Sequence, residues 1–344
     1  MRKVIVNGRF LLHRTTGVER YAREILRELD NLIDPGEIVL AYPPGTKEVP
    51  AYRHIETVQI GKLQNILWEH ISFPFYVKRQ HAVSLNLCNT APLCSPGIVC
   101  IHDMKIRAVP EFYSKMFLLW YRILFHNETK RTKAIITVSQ FSKEEIGRYY
   151  SVDPKRIFVI PNAWQHYERI SYAQGVLEKF ELRQNEYYFS LCSLEPNKNM
   201  RWIANEAKKN PNRIFAIAGG ISPEVFASGV GFDPPFNMRL LGYVSDEEAK
   251  TLMRDCRAFL FPSFYEGFGI PPLEAVSAGA KRIVLSDIPV LHEIFGETAN
   301  YVDPNSYDAN LEQLKEIDAQ GVLDRYSWKA SAAMLKELLE SDLR

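Results

Sequence analysis

The sequence has no excess of charge of either sign, with 42 Lys and Arg against 41 Asp and Glu. Proteins that track nucleic-acid phosphates concentrate Lys and Arg, so a dedicated nucleic-acid binder is not expected and any phosphate site must be local. Cysteine is scarce and odd in number: Cys88, Cys94, Cys100, Cys192 and Cys256 show no close metal-type pairing, which excludes a zinc module and a disulfide framework. They read as reduced, mostly buried thiols of a cytosolic chain. No apolar run approaches the ~18 residues that suggest a membrane span. The short run after Met1-Arg2-Lys3 is broken by Asn7, Gly8 and Arg9, too early for a secretion signal. The G-x-G-x-x-G fingerprint is missing, since Gly8 and Gly17 stand alone, so nothing supports a bound dinucleotide. No Asp-x-Asp motif sits in a plausible loop, so neither a metal nor an organic cofactor is expected.

What is present is a chain of 344 residues, 46% hydrophobic and 24% charged, enough for two domains with full cores. Short apolar runs at Val4–Val6, Ile38–Leu40, Thr57–Ile60, Ala82–Leu87, Ile98–Ile101, Ala134–Val138 and Arg156–Ile160 predict one parallel sheet. Pro161-Asn162-Ala163 is the expected boundary. Runs at Tyr187–Leu191, Ile214–Ala218, Met238–Val244, Phe259–Phe261 and Ile283–Leu285 predict a second sheet. A last helix, about Ser327 to Glu340, carries Trp328, Ala332, Leu335, Leu338 and Leu339 on one face. Capping-box spacing marks helix starts at Thr16/Glu19, Ser142/Glu145 and Ser245/Glu248.

The most informative stretch is Phe259 to Gly279, read as a strand, a tight loop and a helix. Gly267 and Gly269 let the backbone turn, Pro271-Pro272 fit the first helical positions, and Gly279 ends the helix. Glu266 lies in the loop and Glu274 is expected in the first helical turn. They converge on one site only if the loop wraps a ligand, and a glycine loop entering a helix offers N–H groups to phosphate. Alternatively, Glu274 merely complements the helix dipole and Glu266 is solvated. Three other places suit anions or catalysis. Gly17 opens a helix after the first strand. His102-Asp103 closes a buried parallel strand, where open α/β sheets place ligand groups. Lys198 lies in a strand-to-helix loop and can set a point charge beside a phosphate, with Arg201 nearby.

The run Phe-Pro-Ser-Phe-Tyr-Glu-Gly-Phe-Gly-Ile-Pro-Pro-Leu-Glu-Ala resembles the donor-site signature of the retaining glycosyltransferases of family four, and Val-Cys-Ile-His-Asp-Met resembles that family's strand-His-Asp element. The resemblance covers nearly the whole chain and is densest over residues 238–304 and 98–163. It implies the α/β GT-B fold: two Rossmann-like domains with parallel sheets facing across a cleft. The expected division is 1–163 for an acceptor domain, 164–325 for a nucleotide-sugar donor domain, and 326–344 for a helix crossing back to the first. By resemblance, Glu266 faces the transferred sugar and Glu274 binds the ribose diol. Gly267, Phe268, Gly269 and Ile270 line the donor phosphate, and Lys198 pairs with the pyrophosphate. His102 contacts the donor sugar or its reacting region. Asp103 orients His102 or binds acceptor hydroxyls, and Gly17 belongs to a loop holding acceptor or donor phosphate. Relatives carry an arginine near Lys198 where this chain has Ser193 and Asn197, with Arg201 a possible substitute.

The activity implied is transfer of a hexose, mannose or rhamnose favoured, from a GDP-, dTDP- or UDP-linked donor to a glycan or polyprenyl-linked acceptor in surface-polysaccharide assembly. Retention of configuration follows from the family alone, and front-face displacement through an oxocarbenium-like state is favoured. The competing readings are an epimerase or phosphorylase of the same gross fold, and a non-catalytic nucleotide-sugar sensor. The stretch from Lys105 to Lys133, with Lys and Arg exceeding acids by seven to two, reads equally as a core helix with a solvated basic end or as a helix touching anionic lipid. The expected location is the cytoplasm, with peripheral contact at the inner face of the membrane if the second reading holds.

Overall fold

A computed structural model describes residues 3–192, 195–220, 234–318 and 320–341. The chain divides into two compact units, Met1–Asn162 with Ser327–Arg344, and Ala163–Tyr326.

The first unit is built on β1 (Val4–Asn7), β2 (Ile38–Tyr42), β3 (Glu56–Gln59), β4 (Val83–Asn86), β5 (Ile98–Cys100), β6 (Ala134–Thr137) and β7 (Ile157–Val159). All pairings are parallel and the order is β3-β2-β1-β4-β5-β6-β7. Every residue of β1, β4, β5 and β6 is buried, the mark of strands covered on both faces. Trp68, Phe73 and Val77 cover one face by packing on Ile5, Val39 and Ala41. The last helix, Trp328–Ser341, belongs to this unit and buries the apolar face expected of it. Trp328 lies 6.0 Å edge-on from Tyr21, and the Ser331 hydroxyl donates to the Pro161 carbonyl at 2.8 Å. Each such large apolar side chain contributes about 1.5–3 kcal/mol on burial.

The second unit holds β8 (Tyr187–Leu191), β9 (Ile214–Ala218), β10 (Met238–Gly242), β11 (Ala258–Phe261), β12 (Ile283–Ser286) and β13 (Asn300–Val302), again wholly parallel, in the order β10-β9-β8-β11-β12-β13. Strand β13 was not legible in the sequence: Asn-Tyr-Val at a sheet edge is half-buried and makes no apolar run. In both sheets the first strand sits beside the second on one side and the fourth on the other. The chain therefore reverses its winding between β1 and β4, and again between β8 and β11. Ligands of open α/β sheets bind outside the carboxyl ends of the strands at that reversal.

Two local expectations are corrected. The helix Gln140–Tyr150 is capped by Ser139, whose Oγ accepts the Ser142 N–H at 3.0 Å; Ser142 is inside the helix and its hydroxyl donates to the His102 carbonyl at 3.1 Å. The helix Ile270–Ser277 begins at Ile270 behind a left-handed Gly269, so Glu274 stands beyond the first turn.

Candidate active site

In the second unit, the loops leaving β8 and β11 flank the reversal point. They are joined by backbone and amide bonds: Phe264 N–H donates to the Asn197 carbonyl at 2.8 Å, and Asn197 Nδ2 donates to the Tyr265 carbonyl at 3.3 Å. That joint brings Lys198 Nζ to 2.6 Å from Glu266 Oε1, with both side chains less than one-fifth exposed. The ammonium also stands 5.2 Å from the centre of the Phe261 ring. An ammonium has three donors and Glu266 takes one of them, so the same cation can serve an arriving oxyanion. Gly269 has φ +103°, and a Cβ there would meet Leu291 Cδ2 at 2.9 Å, so the sharp turn into the helix requires glycine. Phe268 is buried with its ring edge-on to Tyr326 at 5.1 Å. Ser263 Oγ and Asn197 Oδ1 are buried without hydrogen-bond partners among the described residues.

Glu274 is neither a solvated residue nor a dipole complement. Its Oε1 lies 2.8 Å from His166 Nε2, with both side chains nearly sealed from solvent. His166 comes from the turn Gln165–Arg169, which Gln165 Nε2 ties to the Tyr326 carbonyl at 2.8 Å. Sequence reasoning missed His166, because its partner is 108 positions away. Arg201 is exposed in the first turn of the helix Met200–Lys209. Ser193 lies outside the described residues.

In the first unit, the corresponding reversal point carries a polar network. Asn7, the last residue of β1, donates through Nδ2 to Glu69 Oε1 at 2.8 Å and to Asn86 Oδ1 at 3.0 Å. Thr90 Oγ1 donates to the same Glu69 oxygen at 2.9 Å, and Arg9 Nη1 donates to Glu69 Oε2 at 2.7 Å. Glu69, 1% exposed, is thus held by three side chains, and it too was missed in the sequence. A cavity of about 190 Å³ opens beside this network. A larger one, about 450 Å³, lies along residues 299–315 by β13 and contains none of the expected site residues.

His102 is 5% exposed, and its Nε2 lies 2.8 Å from the Leu87 carbonyl, which can only accept, so Nε2 carries the proton. Burial lowers its pKa below 6.5 and keeps the ring neutral near pH 7, leaving Nδ1 as the acceptor. The ring is set by Leu87 and by the edge of Tyr21 at 4.9 Å, and its backbone N–H donates to Asn89 Oδ1 at 2.7 Å. The expectation that Asp103 orients His102 is therefore corrected: Asp103 Oδ1 instead accepts the Lys105 N–H at 3.0 Å and opens the next helical turn. Gly17 is the exposed first residue of the helix Gly17–Leu29. The positive end of that helix is already complemented, because Glu19 Oε2 accepts both the N–H and the hydroxyl of Thr16.

Behind the pocket, Glu128 is fully buried: Oε1 accepts the Ala91 N–H at 2.9 Å, and Oε2 has no partner among the described residues. Burial, reinforced by the charge of Glu69, holds its pKa well above 4.5. From pH 4.5 up to the raised folded value, the native chain keeps a proton that the unfolded chain has lost. Stability must therefore fall as pH rises through that window, by up to ~1.4 kcal/mol per pH unit. Glu128→Gln keeps the acceptor for Ala91 and removes the slope. Its Tm is expected to exceed that of the wild type at mildly alkaline pH and to match it in mild acid, as thermal melts at the two pH values would show.

Two family descriptions between them span most of the chain: Glycosyltransferase Family 4 matches residues 15–164, and Glycosyl transferases group 1 matches residues 179–333. The chain belongs to the family-four glycosyltransferases. Among curated relatives of this glycosyltransferase, the O-antigen chain mannosyltransferase B of Escherichia coli is 32% identical over 62% of this chain and 58% of its own length. The O-antigen chain mannosyltransferase RfbU of Salmonella typhimurium is 28% identical over 67% of this chain and 63% of its own. The matched region thus spans less than two thirds of either relative. Solved structures share the fold across almost the full length of both chains. Anabaena HepE in complex with UDP and glucose has a TM-score of 0.72 at 15% identity, covering 99% of this glycosyltransferase and 100% of HepE. The sucrose-phosphate synthase of Thermosynechococcus elongatus has a TM-score of 0.74 at 14% identity, covering 99% of each chain. The fold is therefore GT-B.

Among the described residues, no helix is long and apolar enough to cross a membrane. The helix Lys115–Arg131 has a buried side and an exposed apolar side. Leu124, Phe125, Glu128 and Thr129 are buried, whereas Met116, Leu119 and Ile123 are about half or more exposed.

Proposed function

We propose that this chain transfers a hexose, mannose favoured, from a nucleotide-diphospho-sugar to a glycan acceptor in surface-polysaccharide assembly. The observation that carries the reading is the pairing of Lys198 with Glu266 at the reversal point of the second sheet, where a diphosphate would bind. The names of the curated relatives support mannose. Residues 163–326 take the donor. Lys198 neutralises the departing diphosphate, and Gly267, Phe268, Gly269 and Ile270 wrap it. Glu266 addresses hydroxyls of the sugar, and Glu274, fixed by His166, takes the ribose diol. Residues 1–162 take the acceptor, and His102 contacts the transferred sugar. The bond from C1 to the diphosphate oxygen breaks, the acceptor hydroxyl attacks C1 on the same face, and its proton passes to the leaving diphosphate. Positive potential at the leaving group comes from Lys198 and loop amides, so no metal is required.

The test is release of nucleoside diphosphate from GDP-, dTDP- and UDP-sugars, with and without EDTA. One donor should turn over slowly, unaffected by EDTA, and faster when a mannosyl oligosaccharide is added. Binding of a donor without turnover, acceptors included, would favour the sensor reading.

The reading extends to the membrane surface. Ile66, Leu67, Ile71 and Phe75 are each about half or more exposed, as are Met116, Leu119 and Ile123. The two segments meet through His70 and Trp120, whose rings are 5.7 Å apart. Lys115 and Arg122 flank this apolar surface, a composition suited to an anionic bilayer that carries the acceptor. Leu119→Asp combined with Phe75→Asp is expected to weaken co-sedimentation with phosphatidylglycerol vesicles at least tenfold. Unchanged sedimentation would remove the membrane contact from the account.

A further inference from the structure

We propose that the pocket at the carboxyl ends of β1 and β4 seats an uncharged sugar ring of the acceptor, its hydroxyls read by Arg9, which the sealed Glu69 holds in place, and that it is not a phosphate site. The inference rests on the glycosyltransferase reading and specifies which part of the acceptor the first unit grips.

Size is the first argument. The cavity holds about 190 Å³, the room of about six waters at ~30 Å³ each, which suits one pyranose ring and not a diphosphate with its sugar. Charge is the second. Its walls carry one guanidinium, Arg9, against two carboxylates, Glu19 and Glu69. The guanidinium is already committed to Glu69 at 2.7 Å, and Glu19 occupies the positive end of the neighbouring helix. An incoming phosphate would meet no net positive charge from these groups and would have to compete with a carboxylate both at Arg9 and at the helix end. A sugar hydroxyl carries no charge and can accept from another N–H of the guanidinium without displacing Glu69. Rigidity is the third. Glu69 is sealed and clamped by Asn7, Thr90 and Arg9, so the polar wall is preorganised, and the Tyr121 side chain adds an apolar surface for the C–H face of a ring. Position is the fourth. Leu87 and Asn89 line the pocket and also hold His102 from behind, so a hydroxyl seated there lies one residue layer from the group assigned to the reacting sugar.

The experiment is steady-state kinetics with the full chain, using α-linked mannose oligomers as methyl glycosides, and the same oligomers on a lipid diphosphate, as acceptors. The neutral glycosides should be used, and their KM should change less than twofold between low and high salt. Arg9→Ala should raise that KM at least tenfold with the donor KM within twofold, and Arg9→Lys should recover only part of the loss because it lacks the planar fork. Glu69→Gln should raise the acceptor KM without altering circular dichroism. If Arg9→Ala does not fold, competition on the wild type decides: methyl α-mannoside should compete with the acceptor, and inorganic pyrophosphate should not. Overturning results are an acceptor KM unmoved by Arg9→Ala, competition by pyrophosphate against acceptor, or strict dependence on the lipid diphosphate. If no donor is turned over at all, the glycosyltransferase reading fails instead, which a separate assay of donor hydrolysis distinguishes.

Discussion

Lys198→Ala is expected to lower release of nucleoside diphosphate by about 10²- to 10³-fold, the usual loss when one preorganised group that stabilises transition-state charge is removed. The ammonium stands at a sheet reversal point with Glu266 as its carboxylate partner at 2.6 Å, and in the proposed reaction charge accumulates on the diphosphate as its bond to C1 breaks. The loss should fall mainly on kcat, because the interaction strengthens as the leaving group departs. Lys198→Arg should recover part of the rate, since it keeps the charge but not the compact geometry. The pair is partly open to solvent, so Tm should move little and the effect separates from folding. A kcat within threefold of the wild type would show that the diphosphate binds elsewhere.

Breaking the second pair should have the opposite signature. Glu274 and His166 are buried together at 2.8 Å, and removing one partner of a buried pair costs about 3–5 kcal/mol. For a unit of this size that corresponds to a fall in Tm of roughly 6–20 °C. Glu274→Ala should show this fall together with loss of donor binding, because the residue anchors the turn Gln165–Arg169 and, in the proposed function, takes the ribose diol. His166→Ala should show the fall with a smaller loss of donor affinity. The double variant should be less destabilised than the sum, by a coupling of about 0.5–3 kcal/mol. Equal donor affinity in Glu274→Ala and wild type, measured by calorimetry at a temperature where both are folded, would leave Glu274 a purely structural role.

The strands of both sheets other than β13 could be read from the sequence because parallel strands covered on two faces appear as apolar runs. The loop from Phe261 to Gly269 was legible for a related reason: its Gly and Pro residues have backbone requirements that few other sequences meet. Partners brought together by tertiary folding were not legible. Glu69 is 62 positions from Asn7, and His166 is 108 from Glu274, and neither has a local pattern to mark it. Ser142 fitted a capping box by spacing, yet the helix began earlier because Ser139 supplies the cap, which freed the Ser142 hydroxyl to hold His102. Asp103 beside His102 suggested a catalytic pair, but the strand delivers the two side chains to different tasks.

The most direct test of the donor-site assignment is a structure of the chain with the nucleoside diphosphate of its preferred donor. The account predicts the distal phosphate within hydrogen-bond reach of Lys198 Nζ and the amides of residues 267–270, and the ribose hydroxyls on Glu274. A nucleotide bound with its phosphates away from Lys198, or a ribose that leaves Glu274 untouched, would contradict it.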